Sequence, residues 1–113
     1  MTALEFVKNY IMHDSLIDNI EISDHGTKII MLIDFAFWMQ AGYDNTDPET
    51  GPLKITFRDV SESNIPNNIN WDEISILETE SSNGTVTFKL INDMTDAYLD
   101  LNIQSNNISV ERG

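Results

Sequence analysis

The 113 residues predict an α+β domain: an antiparallel meander sheet of about seven strands with one N-terminal helix packed on one face. Three observations carry that reading. Apolar residues recur at three- and four-residue spacing only up to Ile11, and beyond it the period is two. Short polar turns separate the alternating runs. Finally, 41% of the residues are apolar, so a chain with 19 acidic and 6 basic side chains still has enough to bury a core. Nothing suggests a boundary within residues 1–113, which read as a single domain.

The helix begins at Thr2-Ala3-Leu4-Glu5, a capping-box pattern in which Thr2 and Glu5 each satisfy the other's backbone amide. Ala3, Leu4, Phe6, Val7, Tyr10 and Ile11 form its apolar face, and it is expected to end near Met12-His13-Asp14-Ser15. Leu16 to Ile22 reads as the first strand, closed by the turn Asp24-His25-Gly26-Thr27. Lys28 to Trp38 is the second. Its odd positions Ile29 to Phe37 are apolar, and so are Ile30, Leu32, Ala36 and Trp38 on the opposite face, with Asp34 among them. Such a strand is expected to lie centrally and to be covered on both sides, one of them by the helix.

Residues 39 to 52 read as a polar loop, followed by a third strand in which Leu53, Ile55 and Phe57 alternate as far as Val60. Ser61 to Asn70 reads as irregular. Four more strands follow at Ile74–Thr79, Thr85–Ile91, Ala97–Gln104 and Ile108–Glu111, with Trp71 opening the first of them. Asn83-Gly84 is a tight-hairpin pair, and Asn106-Asn107 tolerates positive φ. Connections this short predict antiparallel pairing of successive strands.

The formal net charge of −13 bears on partners. Such a surface repels nucleic acid and anionic lipid, and attracts basic partners over roughly 8–10 Å at physiological salt. Basic patches and glycine-rich phosphate loops are absent from the sequence, so it offers no site for nucleic acid. Cysteine is absent too, which removes disulfides, thiolate metal sites and cysteine nucleophiles. No apolar run is longer than that of Ile29 to Ile33, which is far shorter than the ~20 residues of a membrane span. With no basic, apolar leader at Met1 to Glu5, a cytoplasmic location is expected, and the sequons at Asn83 and Asn107 then carry no weight.

Few residues suggest chemistry. His13-Asp14-Ser15 holds the residue types of a hydrolase triad, but adjacent side chains diverge and triad members come from separate parts of a fold, so a helix stop is expected. His25 reads as a solvent-facing turn residue. Neither histidine has a partner at ligand spacing, and neither a metal nor a cofactor is expected. Asp34 needs a partner if buried, and Arg58 on the next strand is the candidate. Asp44, Asp47 and Glu49 share one loop without the residue order of a calcium site. Together with the flanking Trp38 and Tyr43, whose side chains combine apolar area with a polar tip, they form the expected binding site.

The segment His13-Asp14-Ser15-Leu16-Ile17 with Ile20-Glu21-Ile22, the pattern Leu53-x-Ile55-x-Phe57-x-Asp59-Val60 and the closing Ile108-x-Val110-Glu111 resemble small uncharacterised bacterial domains. Some of those are similar to immunity proteins of toxin systems, which act by binding a cognate toxin. The resemblance implies a non-catalytic binding module and brings no catalytic residues with it. The acidity agrees with a basic protein partner. The alternative is a small enzyme working through carboxylates in a pocket. A nucleic-acid mimic would need acids in one stripe, whereas here they are scattered. A meander also leaves two edge strands, and pairing through one would give a homodimer.

Overall fold

The computed structural model describes residues 1–112. Its elements are α1 (Ala3–Asn9), β1 (Leu16–Ser23), β2 (Lys28–Ala36), β3 (Thr50–Arg58), β4 (Glu62–Ser63), β5 (Ile74–Ser82), β6 (Thr85–Asn92), β7 (Tyr98–Gln104) and β8 (Asn107–Arg112). The class is the expected one, with eight strands rather than about seven. The extra strand is β4, two residues within the stretch read as irregular, too short to show a period of its own.

Both bonds of the capping box form, Glu5 N–H to Thr2 Oγ1 at 3.2 Å and Thr2 N–H to Glu5 Oε1 at 2.9 Å. The helix stops at Asn9, earlier than its apolar spacing suggests. The Gln40 side chain takes over the next backbone groups, accepting from Ile11 N–H at 2.9 Å and donating to Ile11 O at 2.6 Å. From there the chain enters the sheet, where Asp14 N–H donates to Ile76 O and Ile76 N–H to Ser15 O. Seven residues fall below the ~12–15 a helix needs in isolation, so α1 owes its existence to the buried Ala3 and Phe6 beneath it.

All pairings are antiparallel, in the order β4-β7-β6-β5-β1-β2-β3-β8. A simple meander would run 1 to 8 in sequence. Instead there are two three-stranded meanders, β1-β2-β3 and β5-β6-β7, and each passes its next strand to the other: β4 joins β7, and β8 joins β3. The short link Ser105-Asn106 therefore does not close a hairpin, and neither Asn106 nor Asn107 adopts positive φ. The Asn83-Gly84 turn does, with φ of 49° and 80°, as a two-residue hairpin requires.

Three chain steps separate Gln104 from Asn107 and span at most roughly 11 Å, yet the two residues belong to strands on opposite flanks of the sheet. The sheet must therefore curl until its flanks meet at this corner. There, Ser61 N–H donates to Gln104 O at 3.1 Å, Ser105 Oγ to Arg58 O at 2.6 Å and Asn107 Nδ2 to Asp59 Oδ2 at 3.0 Å. Halfway round, β1 and β5 share only the Leu16–Ser75 pair, and each strand carries a bulge beside it. Bulges sharpen twist and so help the sheet bend here.

The concave face holds the core. Phe6 of α1 meets Phe57 and Phe88 at 6.0 and 6.1 Å between ring centroids, and these two lie 6.2 Å apart. The convex face has no cover, which corrects the expectation for β2: Ile30 is only half-buried and Leu32 is 37% exposed. The same face leaves Leu16 and Tyr98 open. No helix of the described residues is long and apolar enough to cross a membrane.

Candidate functional site

After Ala36 the chain leaves β2 in a single 3₁₀ turn, Phe37–Met39, so the second strand ends earlier than Trp38. Phe37 turns inward against Phe35, edge-on at 5.2 Å, and Phe35 meets Tyr10 of α1 at 6.1 Å. Gly51 is required under Phe37, because a Cβ there would stand 2.8 Å from the ring. Arg112, at the end of β8, lies over the Phe37 ring with its guanidinium 4.4 Å from the ring centroid.

These side chains line a cleft of about 280 Å³ between the end of α1 and the β8 edge, completed by Tyr43, Asp47, Leu53 and Val110. The loop above it is organised by its own polar groups. Thr46 N–H donates to Asp44 Oδ1 at 3.0 Å, Asp47 N–H to Asp44 O at 2.8 Å and the Tyr43 hydroxyl to Asp47 O at 3.1 Å. Partial burial pushes the Tyr43 phenol above its ordinary range, and the carboxylates of Glu49, Asp47 and Asp44 add to the shift. Trp38 is 45% exposed, and its backbone N–H donates to the Glu49 backbone O at 3.1 Å. Of the five residues read as a binding site, Tyr43 and Asp47 line the cleft, Asp44 and Glu49 are exposed beside Tyr43, and Trp38 stands outside it.

Tyr10, Arg112 and Val110 were not legible as members of this site. They come from distant parts of the chain: the packing of α1 sets Tyr10 against Phe35, and the pairing of β8 with β3, Leu53 opposite Arg112, brings Val110 and Arg112 here. Two other clefts have no aromatic lining, one of about 290 Å³ at the Asp59–Asn107 corner and one of about 190 Å³ beside β4.

Of the three triad-type residues only Ser15 is set apart, whereas His13 and Asp14 meet, contrary to the expectation that adjacent side chains diverge. Ser15 is fully buried, its Oγ accepting from Ala36 N–H at 3.0 Å, and is out of reach of any substrate. His13 and Asp14 do face one another, at 3.5 Å, because Asp14 takes a left-handed φ of 65°. The His13 Nδ1 bonds Leu77 O of β5 at 2.7 Å, not the helix end. His25 is an exposed residue in the left-handed turn after β1.

Asp34 is half-buried opposite Leu16 and Pro52, whereas Arg58 sits at the far end of β3 and donates to Ser109 Oγ, so the two do not pair. The neighbour of Asp34 is another acid: burial raises the pKa of Asp18, and the charges of Asp34 and Asp72 raise it further. Trp71 lies in a 3₁₀ turn ahead of β5. Among the described residues, no group of three His, Cys, Asp or Glu is arranged to hold a metal ion.

No protein-family model, curated protein or solved structure matches this chain.

Proposed function

We propose that this chain is a non-catalytic module that binds a basic protein, in the manner of an immunity-type inhibitor. One observation carries the reading: an aromatic cleft opens beneath a loop whose Asp44, Asp47 and Glu49 surround Tyr43. The rings of Tyr10, Phe35, Phe37 and Tyr43 supply contact area, and the acidic rim steers a cationic surface toward them. The net charge of −13 extends that attraction over the whole molecule.

The alternative, carboxylate catalysis, rests on the raised pKa of Asp18, the kind of shift that equips a general acid. Asp18 and Asp72 are exposed, however, and with Asp34 they line none of the three clefts, so nothing there would shield a reaction from water.

The test compares the chain with its D44N/D47N/E49Q variant as immobilised baits for a lysate of the native host. The expected result is one basic protein that the parent retains, that rising salt releases, and that the neutralised variant fails to hold. Equal retention by both baits, or no specific retention at low salt, would sink the proposal.

A further inference from the structure

The outer edge of β8 is covered over only half its length. Ile108 donates its N–H to Met1 O at 2.9 Å, and the Met1 ammonium donates to Ile108 O at 2.6 Å. Backbone groups two residues apart in a strand face the same way, so Val110 and Arg112 also direct their N–H and C=O away from β3. Among the described residues no hydrogen bond meets any of these four groups. An open stretch of edge is a template for another strand.

This stretch borders the aromatic cleft, which Val110 and Arg112 themselves line. Their partners across the ladder, Ile55 and Leu53, are buried in the concave core, so both side chains lie on the concave face. A strand laid against them would therefore direct alternate side chains toward the cleft, past Tyr10 and Phe37, and the others to the convex face beside the exposed Glu111.

We infer that the β8 edge at Val110–Arg112 captures an extended segment of the partner by strand addition, a segment that alternates apolar residues facing the cleft with basic residues facing outward. This rests on the proposal that the partner is basic and specifies how it is held. Charge selects this occupant over a second copy of the chain, which would bring −13 against −13 along the contact. It also explains how one cation fits the site: Arg112 is stacked on Phe37 on the concave side, away from the outward basic residues, where an aromatic anchor would extend the stack.

The probe is a capped heptapeptide alternating lysine with valine, with one phenylalanine at its centre. It is compared with the same peptide N-methylated on the residues that would donate to β8. Binding is read by calorimetry, and the Val110 and Arg112 amides by hydrogen exchange. On the protein side, Val110→Pro deletes an outward N–H without removing a bond to β3. The expected result is binding by the parent pair, protection of both amides, and affinity about tenfold or more weaker for the methylated peptide and for V110P, the scale of one to three lost hydrogen bonds.

Equal affinity for both peptides with unprotected amides would overturn strand addition, as would no binding of the parent peptide. If V110P does not fold, the peptide comparison on the unaltered chain decides alone. Failure here leaves the D44N/D47N/E49Q comparison standing, because charge steering does not need the β8 backbone. Failure of that comparison with intact amide protection would instead locate the fault in the acidic loop.

Discussion

Replacing Phe6 with alanine tests the claim that two turns of helix complete the core. Phe6 is fully buried, and its ring contacts Tyr10, Phe57 and Phe88 at centroid distances of 5.7, 6.0 and 6.1 Å. Transfer of its side chain to water is worth roughly 1.5–3 kcal/mol, and each aromatic pair adds about 0.5–1.5 kcal/mol. The sheet is hydrogen-bonded to itself and closed at the Gln104–Asn107 corner, so the cavity cannot collapse fully, and the total falls in the ~3–5 kcal/mol range of buried Phe→Ala changes. Alanine's better helix propensity returns at most about 0.7 kcal/mol. Against a total stability of roughly 5–15 kcal/mol, the melting temperature should fall by about 12–20 °C. Leu4→Ala, on the exposed side of the same helix, should change stability by less than about 0.5 kcal/mol. Urea titration followed by circular dichroism reads both. A loss below about 1 kcal/mol for F6A would mean that α1 frays independently of the sheet, and the account of the core would be wrong.

Ser15→Ala should destabilise by about 1–3 kcal/mol, since it strands the buried Ala36 N–H that now donates to Ser15 Oγ; a urea midpoint matching the parent would refute that role. Asp18 gives a pH-dependent outcome. Its folded pKa is raised, so its contribution to stability is fully present below the unfolded value near 3.8 and is lost as pH rises through the folded one. Asp18→Asn should therefore stabilise by a few tenths of a kcal/mol at pH 7, a size set by its exposure to solvent, and by nothing at pH 3. A stability loss at pH 7 would instead make the carboxylate a structural acceptor.

Much of the local structure was legible because it depends on near neighbours. Thr2 and Glu5 are three residues apart and cap the helix wherever the rest of the chain goes. Asn83-Gly84 closes its hairpin through its own backbone preferences. The alternation of Leu53, Ile55 and Phe57 put the right side chains in the core without knowledge of what would cover them. The end of α1 was misplaced because Gln40, 29 residues away, supplies the competing hydrogen bonds. The candidate site was half legible: Tyr43 and its acidic neighbours lie in one loop, whereas Tyr10 and Arg112 lie near opposite chain ends.

By itself, then, the sequence determined the strand periodicity, the helix start, the Asn83-Gly84 hairpin turn and the net charge of −13. These follow from steric and electrostatic preferences that act within a few residues or through total charge. Only the tertiary structure decided that β4 and β8 cross between the two meanders, that the convex face stays open, and that Arg112 reaches Phe37. Strand order is settled by which edges can close around Phe6, Phe57 and Phe88, a competition among distant backbone groups that no local pattern records.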